Sequence, residues 1–344
     1  MRRILLIVLG LGLLAGLVIG WILFGSGTGF SGRKATLYIS SKAATREAVL
    51  DSLRKNEIVS NVSAFEFLAN RLGYWDHIRP GKYEFPKGTG LLRIVRTLRN
   101  GAQTPVKLTI TKYRTLGDFA GDVGRKFECD SADMMAFLAS ADSLRPFNAT
   151  PQTAMTLIFP DTYTYYWNSS PRQVLRKLAD VSAGYWTAAR TGKAKEQGLS
   201  AHEAYTLASI VEEETNAQAE KGTIASVYLN RLRKDMKLQA DPTAKYAVGD
   251  FTIRRVLHEH IAVASPYNTY YVKGLPPGPI CTPQRKTLDA VLDAPRTNYY
   301  FFVANPDKPG THLFTETYGE HLTNAKAYHE NLNERARRNA NTSR

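Results

Sequence analysis

The chain has 344 residues, with 45 Lys and Arg against 31 Asp and Glu, a formal balance of +14, and its length allows about two domains of ordinary size. Hydrophobic residues make up 43% of it, with 18 Tyr and 14 Phe, which excludes wholesale disorder; its two cysteines exclude a disulfide scaffold and a four-cysteine zinc site. The positive balance favours an acidic partner, which means nucleic acid, anionic lipid or an anionic polymer.

Met1-Arg2-Arg3 precedes Ile4 to Phe24, a run of 21 residues without a charge. As a helix this run is roughly 30 Å long, enough to cross a bilayer core. A cleaved signal peptide has a shorter apolar region, of about 7–15 residues, so an uncleaved single-pass anchor over residues 4–24 is expected. Arg2 and Arg3 then keep residues 1–3 as a cytoplasmic stub. The bulk of the chain is expected on the periplasmic side of the cytoplasmic (inner) membrane. That placement argues against nucleic acid and for cell wall or lipid headgroups as the acidic partner.

Residues 25–34, rich in Gly and Ser, read as a flexible linker. Leu37 and Ile39 alternate in a short strand. A helix follows Thr45, with Val49, Leu50 and Leu53 inward. Phe65, Leu68, Ala69 and Leu72 mark a second helix, with Ser63 as its cap and Gly73 as its end. Tyr83 and Phe85 share one face of a second strand. Leu91, Ile94, Val95 and Leu98 give a further helix, stopped by Asn100-Gly101. Val106, Leu108 and Ile110 alternate in a third strand. The β-α-α-β core within residues 35–112 resembles a LysM-type module, and that resemblance implies binding to glycan chains containing N-acetylglucosamine. A small spacer domain is the other reading of the same pattern. Residues 111–199 are mostly helical in pattern. Phe159 to Trp167 is an aromatic run, read first as core and turn, with a part in a cleft wall as the functional alternative.

Ser200-Ala201-His202-Glu203 is a capping-box sequence. It opens a helix with Ala204, Leu207, Ala208 and Val211 at i, i+3, i+4 and i+7. Stepping about 100° per residue from Ala204, Glu212 falls on the rim of the apolar arc, Glu213 opposite it in water, and Glu214 inside it. A carboxylate on a core face is costly unless it is paired or functional. Desolvation raises its pKa, which suits a general acid. Glu214 is therefore the catalytic candidate. The alternative is a helix that stops near Thr215-Asn216 with all three glutamates solvated.

Leu207 to Thr215, Ile224 to Leu232, Met236 to Thr243, Ser265 to Tyr270, Gly274 to Ile280, Tyr300 to Ala304 and His312 to Phe314 stand in the order found in the MltG (YceG-like) endolytic murein transglycosylases, and the chain is similar to that family. The resemblance implies a mixed α+β catalytic region over residues 113–344, with its core at about 200–330. It implies cleavage of the β-1,4 bond between N-acetylmuramic acid and N-acetylglucosamine in nascent peptidoglycan, with 1,6-anhydro ends, and it implies that Glu214 is the essential residue. The substrate supplies its own nucleophile, the muramoyl C6 hydroxyl, so one carboxylate suffices where ordinary glycosidases need two. Gln239, Tyr267, Asn268, Thr269 and Tyr270 are the residues expected to hold sugar, and Asn268 alternatively braces a loop. Cys281 stands where the family more often has Ala or Ser, and reads as a small buried hydrophobe. Neither a cofactor nor a metal is expected; His258-Glu259-His260 lacks the spacing that sets two histidines on one helix face. Peptidoglycan strands, the membrane and wall-synthesis enzymes are the expected partners. The rival is a non-enzymatic wall-binding scaffold, and a plain hydrolase, releasing reducing ends, is a third reading.

Overall fold

The computed structural model describes residues 4, 6, 7, 9–14, 16, 20 and 25–342, with side chains described to residue 331. Much of the expected membrane span, Ile4–Phe24, lies outside the described residues. Among those described, no helix is long and apolar enough to cross a membrane. The fold is α+β, with fourteen described α-helices and three two-stranded sheets. It divides into two compact units.

The first unit holds the described residues up to Leu108, with Asp122–Asp130 and Tyr163–Ser170. Strand β1 (Lys34–Ile39) pairs antiparallel with β2 (Gly81–Pro86), Leu37 opposite Tyr83. Helices α1 (Arg46–Lys55) and α2 (Val62–Arg71) lie between them in sequence, which is the β-α-α-β order read from the periodicity. Helix α3 (Leu91–Arg99) follows. Leu37, Val49, Leu53, Phe65, Tyr83, Ile94 and Leu98 meet in one buried cluster. Thr45 caps α1 through the Ala48 amide. The cap of α2 is Asn61, whose side chain accepts from Ala64 N at 2.9 Å, two residues before the expected Ser63. An amide oxygen serves this role as well as a hydroxyl. Strand β3 (Val106–Ile110) does not join the β1–β2 sheet but pairs with β4 (Asp161–Tyr165).

The glycine-rich stretch read as a linker is held down. Gly27 N donates to Thr89 O at 3.0 Å, and Gly27 O accepts from Ser60 N at 2.9 Å. A Cβ on Gly27 would come within 2.5 Å of the Leu91 amide nitrogen. Its glycines permit close backbone approach rather than free motion.

The second unit holds Thr109–Gly121, Ser131–Thr162 and the chain from Pro171 onward. Its helices are α4 (Leu116–Lys126, shared with the first unit), α5 (Ser131–Ala139), α6 (Pro171–Tyr185), α7 (Ala188–Glu196), α8 (Ala201–Glu214), α9 (Lys221–Arg233), α10 (Asp241–Val248), α11 (Arg285–Leu292) and α12 (Tyr318–Thr342), with single-turn helices at Ala141–Leu144 and His258–Ile261. Strands β5 (Phe301–Ala304) and β6 (His312–Thr315) form an antiparallel hairpin. Helix α8 is the centre of this unit. Its capping box is made: Ser200 Oγ accepts from Glu203 N at 3.2 Å, and Glu203 Oε2 from Ser200 N at 2.8 Å. Every residue from Ala204 to Val211 is buried, so α8 is a core helix rather than an amphipathic one. Its neighbours supply Phe159, Ile224, Tyr228, Leu288 and Val291. Phe159 therefore belongs to the core, as the structural reading of the aromatic run expects, with Tyr205 edge-on to it.

Candidate active site

Helix α8 ends at Glu214, and Thr215 is already extended. The carboxyl thus sits at the negative end of a helix dipole, which disfavours its ionised form. It also lines a cleft of about 430 Å³ together with Tyr228, Arg231, Asp241, Tyr270 and Phe302 among others. Burial is the largest cause that pushes its pKa up to about 7, and the nearby Asp241 charge adds to it. The hydrogen bond from Tyr228 opposes the rise: Tyr228 Oη donates to Glu214 Oε1 at 2.5 Å. That phenol is itself buried, and burial beside Glu214 keeps it a donor. With Oε1 engaged, Oε2 is the oxygen left to carry the acidic proton.

Tyr228 and Arg231 are three residues apart on α9, so they share a face. Arg231 Nε donates to Tyr300 O at 2.7 Å and Nη1 to Leu238 O at 2.6 Å. This buried guanidinium ties α9 to the β5 approach and places a cation in the cleft wall. His312 Nδ1 lies 2.9 Å from Glu220 Oε2. His321 stacks on Phe301 at 5.3 Å, and burial with the Arg231 charge pulls its imidazole below the usual range.

The five expected sugar contacts divide. Gln239 and Tyr270 line the cleft with Glu214. Gln239 is exposed and holds a left-handed conformation, φ 53°, a strained state for a residue with a side chain and one that concentrates at ligand sites. Tyr270 Oη donates to Asp241 Oδ1 at 2.6 Å. The other three are not among the cleft residues. Tyr267 packs on Tyr246 with centroids 4.8 Å apart. Asn268 is fully buried, and Nδ2 donates to Ile261 O at 3.0 Å and Val263 O at 2.8 Å while Oδ1 accepts from Tyr270 N at 3.1 Å. Of its two readings, the loop brace describes these bonds. Thr269 is buried too and ties the Gln239 turn in place through Ala240 N at 3.0 Å.

The neighbouring glutamates differ from the helical-wheel reading. Glu213 does not face water: it accepts from Lys112 Nζ at 2.7 Å and lies 3.2 Å from Arg114 Nη2, with its side chain 16% exposed. The wheel equates the face opposite the apolar arc with solvent, and on a helix enclosed by the core that equation fails. Glu212 pairs with Lys221 Nζ at 2.8 Å, side chains 10% and 4% exposed, and accepts from Thr287 Oγ1. The solvated alternative for all three is thereby excluded. Cys281 is fully buried with its thiol pushed up by burial, as a small hydrophobe should be. Asp241 is the first residue of α10, with Ala240 at the cap.

Tyr228, Arg231, Asp241, His312 and His321 escaped the sequence reading as site residues. The signals available were the matched blocks that hold Tyr228, Arg231, Asp241 and His312, and the three-residue spacing of the first two. Among the described residues no three His, Cys, Asp or Glu side chains converge as a metal site would require. A larger cavity, about 780 Å³, lies at the opposite end of α8 by Ser200, His202 and Glu203. Its Glu203 is committed to the capping box, whereas Glu214 with its Tyr228 donor lies in the smaller cleft, which is the candidate site.

Residues 37–327 match the model of the YceG-like family. The endolytic murein transglycosylase of Bacillus subtilis is 28% identical over 303 residues, covering 84% of this chain and 83% of that protein. That of Streptococcus pneumoniae serotype 2 is 27% identical over 290 residues, covering 74% of this chain but 51% of the longer relative. A YceG-like protein of Listeria monocytogenes, known from a crystal structure, is 27% identical with a TM-score of 0.55, covering 85% of this chain and 99% of that one. With a family match over most of its length, the chain belongs to the YceG-like family.

Proposed function

We propose that this protein is an endolytic murein transglycosylase, anchored in the cytoplasmic membrane by Ile4–Phe24, that cuts nascent peptidoglycan strands internally and leaves 1,6-anhydro-muramoyl ends. The observation that carries this reading is the raised pKa of Glu214 in a cleft with a single donor on Oε1. Protonated Oε2 gives its proton to the glycosidic oxygen as the bond from that oxygen to C1 breaks. The N-acetylglucosamine portion leaves as the 4-hydroxyl. The muramoyl C6 hydroxyl closes on C1, and its proton returns to Glu214. No proton is consumed and no water enters, so one carboxyl serves both halves. Cleft residues Gln239 and Tyr270 are assigned to the sugar, while Tyr267, Asn268 and Thr269 support the walls.

The pH dependence follows with its sign. The acid form is the active one, so the rate is expected to fall as pH rises through about 7, well above the ordinary carboxylate range of about 4.3. Mass spectrometry of glycan fragments across pH checks this. Reducing ends in place of anhydro ends would make the protein a hydrolase. A rate that is flat to pH 9, or one abolished by a chelator, would assign the chemistry to another group.

The anchor has its own test. An alkaline phosphatase fused to the C-terminus is expected to be active, since the 21-residue apolar run follows two arginines. An inactive fusion, or a mature chain that begins after residue 24, would remove the anchor from this reading.

A further inference from the structure

The cleft holds a second carboxylate that the single-acid scheme does not use. Asp241 opens α10 beside Glu214 in the same cleft. A carboxylate in the first turn of a helix ordinarily serves the helix's own free amides. Here Asp241 Oδ1 instead accepts from Tyr270 Oη at 2.6 Å. The turn that presents it is rigid. Gln239 N donates to Thr269 O at 3.1 Å. Ala240 N donates to Thr269 Oγ1 at 3.0 Å, and the Thr243 and Thr269 hydroxyls lie 2.8 Å apart in the core. Strained Gln239, buried threonines and a phenol thus converge to fix one exposed carboxylate at the cleft.

Resting on the transglycosylase reading, we infer that Asp241 is a positioning residue for cleavage: its fixed negative charge, aimed by Tyr270, stabilises the positive charge that develops on the muramoyl ring as the bond to C1 breaks. Glycoside cleavage passes through an oxocarbenium-like state whichever nucleophile follows. The C6 hydroxyl replaces the usual second carboxylate as nucleophile, but it does not replace that carboxylate's electrostatic part. Preorganised charge is effective at that step. Asp241 bears on Glu214 as well, because a like charge nearby holds the proton on the acid. The other groups facing Glu214 are Tyr228 and Arg231 from α9, Lys245 from α10 and Tyr270, with His312 and His321 further along the cleft.

The test is the rate of anhydro-muramoyl end formation by the full chain on isolated glycan strands, from pH 5 to 9. Wild type and Glu214→Gln are run first: if wild type forms no anhydro ends, the transglycosylase reading fails whatever Asp241 does. Asp241→Asn is expected to lower kcat about 10²-fold, the scale of losing one preorganised group, with little change in KM. It should also move the alkaline limb to lower pH, because a like charge has left Glu214. Asp241→Glu should recover part of the rate. Wild-type kcat in Asp241→Asn, or a lowered kcat with the limb unmoved, would overturn the inference, since a merely structural residue leaves the limb in place. Should Asp241→Asn melt early, Tyr270→Phe decides, because it keeps the charge and removes its aim. A reduced kcat without a shift of the limb to lower pH is expected there, and an unchanged kcat would count against the idea.

Discussion

Replacing Glu214 by Gln is expected to abolish glycan cleavage and, at pH 8, to make the fold more stable. The activity loss is the general acid and base together, about 10²–10⁴-fold or beyond the limit of detection. The stability gain has the same cause. In the folded state Glu214 ionises only near pH 7, whereas in the unfolded chain it ionises near the ordinary carboxylate value. A raised folded pKa contributes stability that is complete below the unfolded value and is lost as pH climbs through the folded one. Above about pH 7 the wild-type fold therefore bears a cost on the order of 3 kcal/mol, which the neutral amide avoids while still accepting from Tyr228. At pH 4 the two proteins should melt alike. Glu213→Gln is the control with the opposite pattern. It should keep most of the activity and lose about 1–2 kcal/mol, because Lys112 and Arg114 lose their shared partner. Thermal melts at the two pH values, beside the glycan assay, separate the cases. Equal activity losses at Glu213 and Glu214 would refute the assignment of the acid.

What local pattern encodes, the sequence reading recovered, and what tertiary enclosure encodes, it did not. The β-α-α-β order of the first unit follows from period-2 and period-3.6 spacing at Leu37, Ile39, Val49, Leu53, Phe65 and Leu68, and the structure repeats it. The capping box at Ser200 and Glu203 is a local bond set and was equally legible. Glu214 stands out in the sequence because an acid inside an apolar arc is anomalous whether the helix is half-buried or enclosed, and the structure sets it in the lining of a cleft. Glu213 was misplaced because only an enclosed helix gives its far face a partner, and Lys112 and Arg114 lie about a hundred residues away. The same holds for Asp241, whose partner Tyr270 stands 29 positions on, and for Tyr228, whose phenol meets Glu214 across two helices. The Gly25–Gly32 stretch shows a further gap. Glycine composition alone does not separate a free linker from a backbone that packs closely, and the contacts at Gly27 and the burial of Phe30 decide it.

Lys221→Met is expected to cost about 3–5 kcal/mol of stability, the scale of breaking a buried ion pair from one side. Lys221 Nζ lies 2.8 Å from Glu212 Oε2 and donates to Thr287 Oγ1 at 2.7 Å, with its side chain 4% exposed. Methionine fills a similar volume, so the loss is that of an anion left in the core rather than of a cavity. Pairing the change with Glu212→Gln should restore most of the stability, because no unpaired charge then remains. The pair also has a mechanical consequence. Glu212 lies in the last turn of α8, two residues before the acid, and Lys221 opens α9, which carries Tyr228 and Arg231. The bridge pins the end of one helix to the start of the other, and so sets the distance between Glu214 and the phenol that engages Oε1. Lys221→Met should accordingly lower kcat even well below its melting temperature, while leaving the alkaline limb of the pH profile attached to Glu214. Denaturant melts of the single and double variants, read beside the glycan assay, measure both effects. A single variant within about 1 kcal/mol of wild type would show that the Glu212 carboxylate finds enough compensation in Thr287 alone, and the bridge would then lose its claim to hold the site together.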